Sequence, residues 1–334
     1  MIRLTEIRLP LDHHDGAIKE AIAERLSLPQ EKILDFVIFR RGYDARKRSA
    51  IMLIYTLDVR VDDEAAVLVA NKSKPNIKVT PDTNYQFVAQ APENLTERPI
   101  VIGTGPCGIL AGLVLAQMGF KPIILERGKI VRERTKDTFA LWRERKLDPE
   151  SNVQFGEGGA GTFSDGKLHS QIKDPNNYGR KVLTEFVKAG APDEILYLSK
   201  PHIGTFKLVA MVEKIREEIE SLGGEFHFSS KVEKLLFENP SADNNEKAGS
   251  SEKAVNGVLL SDGTILHSKH VVLAIGHSAR DTFQTLLDQG VYIEAKPFSI
   301  GFRIEHPQSM IDKARFGTNA GHPMLGAADY KLVH

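Results

Sequence analysis

The chain has 334 residues, 41% hydrophobic and 26% charged, which is enough apolar sequence to bury the cores of two domains. Its 44 basic and 44 acidic residues cancel, so we expect neither nucleic acid nor a membrane as a partner. One cysteine excludes a disulfide framework and a redox-active cysteine pair within the chain. Because the N-terminus lacks the apolar core of a signal peptide, we expect a cytoplasmic protein.

The pattern of apolar residues predicts a small α+β domain over residues 1–90, and we expect a linker over residues 91–98. Alternating and helical spacing of apolar residues predicts strands over 2–9, 33–39, 50–61 and 77–80, and helices over 15–26 and 62–70. The order β-α-β-β-α-β is that of a ferredoxin-like domain. Between the middle strands, the arginine-rich residues 40–48 suit either an RNA or acidic partner or a solvated hairpin loop, and we favour the loop.

Residues 99–128 show the order strand, glycine turn, helix, strand, acid that is typical of a dinucleotide-binding fold. Gly103 allows a tight turn after the strand, Gly105 allows a pyrophosphate to approach the backbone, and Gly108 allows close helix–strand packing. Glu126 follows Gly103 by 126 − 103 = 23 positions, and a carboxylate at that distance is expected to accept the adenosine ribose hydroxyls.

Pro106 and Cys107 complete this turn at the start of the helix. A thiolate would be favoured at a helix N-terminus, but a bound pyrophosphate would oppose a second negative charge. We therefore interpret Cys107 as a small residue that fills the turn rather than as a reactive thiol.

Residues 129–146 predict a basic helix. Arg132 and Arg134 could neutralise phosphates or lie on the surface, and the sequence leaves both open. Trp142 is interpreted as a packing residue.

The next distinctive stretch, residues 151–168, contains five glycines within a short distance of one another. Exposed backbone N–H groups and the lack of side chains suit close approach of a flat or phosphorylated ligand. We predict a loop that wraps a cofactor, with these candidate contacts: Gly158, Gly159, Gly161, Thr162, Ser164 and Lys167.

The remaining pattern predicts helices over 178–189 and 207–222, strands over 225–237, 255–260, 264–266 and 270–275, and a polar loop over 239–252. His267 and His270 are three apart on an expected strand and would point to opposite faces, so we predict no metal site.

Residues 99–128, the later hairpin and the stretch Val271 to Gly276 resemble flavoproteins with two dinucleotide-binding domains. More narrowly, residues 151–168, 201–205, 274–283 and 301–307 look like a bacterial family of uncharacterised FAD-dependent dehydrogenase-like proteins. The resemblance covers nearly the whole chain. It implies an α/β fold, with a Rossmann-like, glutathione-reductase-like FAD-binding domain over 99–280, preceded by the small ferredoxin-like domain, and a second or substrate domain beginning at 281–334.

The same resemblance implies that FAD is the cofactor and that NAD(P)H is a candidate electron donor. The glycine turn, Glu126 and Arg127 would hold the ADP half, the backbone near Val232 would meet the adenine edge, and Gly276 would close over the nucleotide. Lys167 is the candidate positive charge near the reduced flavin. No general acid or base, no substrate and no oligomeric state is predicted.

The chain departs from this family in one respect. Flavoproteins of this kind carry a Gly-Asp pair that holds the ribityl chain, and the sequence has no such dipeptide. We therefore expect a C-terminally truncated chain with an incomplete flavin site. Three functions stay open: an FAD-dependent oxidoreductase, an NAD-binding dehydrogenase, and a non-catalytic or RNA-associated flavoprotein.

Overall fold

The computed structural model describes residues 1–164, 166–168, 172–238, 254–297, 300–302 and 304–330. The chain divides into two compact units. The first unit combines Met1–Thr83, Asp193–Pro201 and Pro297–His334, and the second combines Asn84–Pro192 and His202–Lys296. Each unit joins segments that are distant in sequence, whereas the predicted domains are continuous stretches of the chain. The assignment of functions to the predicted domains 1–90, 99–280 and 281–334 stays a prediction.

The first unit begins with six elements in the predicted order of strand and helix. They are β1 (Ile2–Pro10), α1 (Ala17–Leu26), β2 (Ile33–Asp44), β3 (Met52–Val61), α2 (Glu64–Ala70) and β4 (Ile77–Val79). The strands form an antiparallel sheet in the order β2-β3-β1-β4. Alternate residues of β3, such as Leu53 and Leu57, are buried in a core that α1 covers with Ile22. Alternation of apolar residues thus builds one buried sheet face.

Strand β2 is longer than predicted, and the hairpin-loop interpretation of residues 40–48 is wrong for its first half. Arg41 lies within β2, where its backbone N–H donates to the carbonyl of Tyr197 at 2.7 Å and its carbonyl accepts from Ser199 N at 3.1 Å. The strand extends because residues 40–44 pair with Met52–Thr56 of β3, and the contact of Arg41 with residues 197–199 adds an isolated bridge more than 150 residues away in sequence.

The second unit contains seven strands and five longer helices within its described residues. In chain order they are β5 (Ile100–Ile102), α3 (Pro106–Gln117), β6 (Ile123–Leu125), α4 (Val131–Glu144), α5 (Tyr178–Lys188), α6 (Thr205–Ser221), β7 (Glu225–His227), β8 (Val232–Glu238), β9 (Ala254–Leu260), β10 (Ile265–His267), β11 (Val271–Leu273) and α7 (Arg280–Asp288). One further helix, α8 (Gln308–Phe316), belongs to the first unit.

A parallel sheet in the order β11-β5-β6-β7 forms the base of the second unit, and β10-β9-β8 form an antiparallel sheet. The predicted single strand over 225–237 is therefore two strands in two sheets. The extended conformation is interrupted between the two strands at Ser229, whose φ of 53° is left-handed. Next to it, Ser230 N donates to the Glu126 carbonyl at 2.8 Å. The predicted polar loop over 239–252 lies outside the described residues.

Helix α3 packs tightly on the parallel sheet because glycines face it. A Cβ at Gly108 would lie 1.8 Å from the Gly103 carbonyl oxygen, and one at Gly112 would lie 2.5 Å from Ile124 Cδ1. This packing brings the start of α3 to the carboxyl end of β5. The uncharged residues 99–120 are thus a strand, a turn and a helix, and among the described residues no helix is long and apolar enough to span a membrane.

Candidate functional site

A cavity of about 520 Å³ lies at the carboxyl ends of β11, β5 and β6 in the second unit. Its walls come from residues 102–107, 125–127, 154–156, 159–161, 230–232, 273–279 and 282. Open parallel sheets bind ligands outside the carboxyl ends of their strands, and small-molecule sites have volumes of about 300–1,000 Å³. The cavity therefore has the position and size of a ligand site.

The first glycine turn forms one wall of this cavity. Gly103 has a φ of 100°, and a Cβ there would lie 2.5 Å from the Ala274 carbonyl oxygen. Gly105 is the N-cap of α3, Pro106 is its first residue, and no side chain within the described residues caps the helix. The first-turn N–H groups and the helix dipole therefore favour an anion at this wall.

The second glycine segment, residues 156–161, lies against the first turn. Gly158 N donates to the Thr104 carbonyl at 3.0 Å, and a Cβ at Gly159 would lie 2.8 Å from Gly105 Cα. Gly158 and Gly159 have φ angles of 83° and 65°, which favour glycine. The two glycine-rich stretches, about 50 residues apart in sequence, thus meet backbone to backbone and form one continuous surface in which glycines keep the backbone accessible.

Glu126 is buried at the base of this surface and only 5% exposed. Its Oε2 accepts from Thr104 N at 2.8 Å and from Thr104 Oγ1 at 2.6 Å. Its Oε1 accepts from Gly128 N at 2.9 Å and from Gly156 N at 3.0 Å. Sequence placed the acid correctly at the cavity but did not reveal these four protein donors. Its ribose-binding role stays a prediction.

Arg134 supports the second glycine segment from inside the protein, so both roles considered for it, phosphate binding and a surface position, are wrong. It is fully buried and donates to the carbonyls of Asn152, Glu157 and Val153 at 2.7–2.8 Å. Burial lowers its pKa to about 10. Arg132 does lie at the surface, where it pairs with Glu213 at 2.6 Å.

A second buried charge, Glu157, fixes the same segment. It accepts from Val131 N at 2.7 Å and from Arg216 Nε at 2.8 Å, and burial raises the pKa of its carboxyl. Sequence reasoning missed Glu157, although a charge within a glycine run was an available signal. Beyond this segment, Trp142 packs edge-to-face on Phe163 with ring centroids 5.9 Å apart but is 54% exposed, so it is a packing residue only in part.

Four alternating charges form a cluster beside the cavity, and the two basic ones line it: Arg127, Glu150, Lys231 and Asp281. Arg127 pairs with Glu150 at 2.6 Å and with Asp281 at 2.9 Å, and its guanidinium lies 4.1 Å from the Phe155 ring centroid. Lys231 pairs with the same two acids at 3.3 and 2.8 Å. Hydrogen bonding to Arg127 holds the pKa of Asp281 well below its usual range. Only Arg127 was predicted, because its partners come from distant segments.

Ten predicted contacts line the cavity: Gly103, Gly105, Pro106, Cys107, Glu126, Arg127, Gly159, Gly161, Val232 and Gly276. Five do not line it: Gly108, Gly158, Thr162, Ser164 and Lys167. Gly108 and Gly158 instead hold the two glycine stretches in place, and Thr162 is buried beside Arg134. Ser164 and Lys167 follow the segment, where Ser164 Oγ accepts from Gly166 N and Lys167 forms a β-bridge with His202. Their roles toward a cofactor stay predictions.

Other residues of the cavity wall were not named as individual contacts. They are Ile102, Thr104, Leu125, Gln154, Phe155, Gly156, Ala160, Ser230, Lys231, Leu273, Ala274, Ile275, His277, Ser278, Ala279 and Thr282. Those at 154–160 lie in the predicted cofactor loop, and those at 273–275 in the stretch expected to close over the nucleotide. Residues 230–231, 277–279 and 282 were missed, and most of them follow a strand end, which would have marked them. Cys107 is an exposed thiol at the cavity wall. In the part of the chain that the structure describes, no three His, Cys, Asp or Glu residues are arranged to hold a metal ion.

Comparisons with known families match the two ends of the chain. Residues 1–60 match a domain of unknown function (DUF8436), and residues 297–334 match the family described as FAD-dependent protein, C-terminal domain-like. The second match confirms, at a coarse level, the resemblance to FAD-dependent proteins. A Clostridium beijerinckii protein described as uncharacterized is 42% identical over 333 residues, which is 100% of this chain and 59% of that protein. The chain thus spans about 59% of the length of this relative.

Solved structures give weaker similarity. THI4 of Thermovibrio ammonificans has a TM-score of 0.38 at 18% identity, over 59% of this chain and 64% of that one. A GidA-related protein from Thermus thermophilus has a TM-score of 0.31 at 15% identity, over 58% and 68%. Glycine oxidase from Bacillus cereus has a TM-score of 0.29 at 15% identity, over 57% and 58%. These scores are all below 0.5, so we base the functional conclusion on the chain's own residues.

Proposed function

We propose that the chain binds FAD in the cavity of the second unit and serves a flavin-dependent oxidoreductase. The observation that carries this proposal is the meeting of two glycine-rich stretches on one cavity at the ends of a parallel sheet. The similarity of residues 297–334 to FAD-dependent proteins supports it. NAD(P)H as electron donor and a small-molecule substrate belong to the same proposal.

The residues at the cavity fit an elongated dinucleotide. At Gly105 the nearest atom to a Cβ would be 3.9 Å away, so the backbone is open to a pyrophosphate next to the helix N-terminus. Val232 begins β8 and offers its backbone to an adenine edge, while Gly159 and Gly161 offer a side-chain-free surface for a flat ring. When bound, the flavin supplies the redox chemistry, and the chain binds and orients it.

A plain NAD-binding dehydrogenase is the second candidate, because the same glycine turn and helix would hold the ADP half of NAD. The second glycine segment favours FAD, since a simple NAD domain does not need this additional surface.

The first unit is proposed to be ferredoxin-like, which its sheet order β2-β3-β1-β4 supports. The third alternative, a non-catalytic or RNA-associated flavoprotein, stays open.

The test compares wild type with Gly105→Ala and with the control Gly301→Ala. An alanine at 105 meets no close atom, and its φ of −66° suits any residue, so folding should be unchanged. Its methyl group would occupy the approach of a pyrophosphate. We expect visible flavin absorbance in wild type after incubation with FAD and removal of the free FAD, and FAD affinity at least about tenfold lower in the variant. The control Gly301→Ala, at a position where a Cβ meets nothing within 4 Å, should bind like wild type.

Titrations with FAD, NAD⁺ and ADP distinguish the candidates. Tighter binding of NAD⁺ than of FAD would favour the dehydrogenase. Binding of none of them by a folded protein, or equal FAD affinity in Gly105→Ala, would refute a dinucleotide site at this turn.

A further inference from the structure

The carboxylate of Glu126 is occupied by hydrogen bonds from the protein itself. A carboxylate has about four lone-pair positions, two on each oxygen. In Glu126 the two oxygens accept four hydrogen bonds of 2.6–3.0 Å, from Thr104 N, Thr104 Oγ1, Gly128 N and Gly156 N. With the residue 5% exposed, a ribose hydroxyl could bind the carboxylate only by displacing one of these donors.

Three of these four donors come from the two glycine stretches at the cavity, and the fourth, Gly128 N, follows Glu126 by two residues. Thr104 lies inside the first turn, and Gly156 begins the second segment. Gly156 has a φ of 117°, and a Cβ at this position would lie 2.4 Å from Arg134 Cδ, so only glycine fits here. The second segment is therefore held by both a buried anion and a buried cation. Hydrogen bonds to a charged group are stronger than neutral ones, so the charge of Glu126 contributes directly to this arrangement.

We propose that Glu126 is a positioning residue that ties the second glycine segment to the first turn, and that it is not the acceptor of the adenosine ribose hydroxyls. The ribose part rests on the proposed function, whereas the tie between the stretches exists without any ligand. In this assignment the charge of Glu126 organises the cavity before a nucleotide enters.

The first experiment uses ligand-free protein and the isosteric change Glu126→Gln. The glutamine amide has the same shape as the glutamate carboxylate, but its NH₂ group replaces one of the two accepting oxygens. That NH₂ group would face the donors that bonded to this oxygen, so at least one buried hydrogen bond is lost. We expect a melting temperature at least about 5 °C lower and amide exchange in peptides covering 154–163 at least about tenfold faster. Glu217→Gln, an exposed residue on α6, is the matched control and should resemble wild type.

A milder variant covers the case in which Glu126→Gln does not fold. Thr104→Val keeps the volume and removes only the Oγ1 donor. It should give a smaller shift of the same kind in stability and in exchange over 154–163. Melting and exchange unchanged in both variants, relative to Glu217→Gln, would overturn the positioning role.

The second experiment compares ADP with 2′-deoxy-ADP and 3′-deoxy-ADP. A ribose hydroxyl bound to a carboxylate contributes about 10- to 100-fold in affinity. We expect less than about threefold loss for either deoxy compound in wild type, and the same ratio in Glu126→Gln. A tenfold loss in wild type that disappears in Glu126→Gln would make Glu126 the ribose acceptor and overturn the proposal. If ADP does not bind at all, the nucleotide function fails, and the ligand-free measurements still decide the positioning role.

Discussion

Replacing Arg134 should destabilise the second unit strongly, although Arg134 is outside the cavity wall. Arg134→Met removes three charged donors from buried carbonyls of residues 152, 153 and 157. At about 1.5–3 kcal/mol per bond, the loss is about 4.5–9 kcal/mol. Burial of the charge, which lowers the pKa of Arg134 from the ordinary value of an arginine to about 10, offsets about 3 kcal/mol at about 1.36 kcal/mol per pKa unit. The expected net loss in free energy of unfolding is therefore about 1.5–6 kcal/mol.

The assay is urea denaturation followed by the fluorescence of Trp142, which is the single tryptophan of the chain and lies in the second unit. Arg134→Lys should be intermediate, because one ammonium group cannot match three carbonyls as a guanidinium does. Arg132→Lys is the control, since its side chain is 70% exposed and should change stability by less than about 0.5 kcal/mol. A loss below about 1 kcal/mol in Arg134→Met would refute the reasoning.

Two further predictions test the first glycine turn and the cluster of four charges beside the cavity. Gly108→Ala places a methyl group 1.8 Å from the Gly103 carbonyl oxygen, so we expect at least about 2 kcal/mol of destabilisation in urea; an unchanged midpoint would contradict the tight packing of α3. Asp281→Asn should be less stable than wild type at neutral pH. Because Arg127 and Lys231 lower the pKa of Asp281 below 3.8, its stabilisation is present above that value and is lost as the pH falls toward the lowered pKa. Melting temperatures at several pH values should therefore converge in acid, and a constant difference would contradict this.

The turn and the helix that follows it could be predicted from the sequence because their signals are local. Ile100 to Ile102, the glycines at 103, 105 and 108, and the acid at 126 lie within 30 residues, and each spacing has a steric or electrostatic reason. Apolar periodicity likewise predicted α6 and most strand positions. Composition alone marked residues 156–161 as a ligand-binding loop, and the structure places most of them at the cavity wall.

Tertiary structure decided the contacts that depend on partners far away in sequence. Arg134 and Arg132 are two residues apart in one helix, yet one is buried under the glycine segment and the other is exposed. The partners of Arg127, and the bridge that Arg41 of β2 forms with residues 197–199, come from segments 23 to about 158 residues away. Hydrogen bonds and ion pairs act over a few ångströms in space, so residue type and spacing limit which groups can form them, and only the folded chain determines which of them meet.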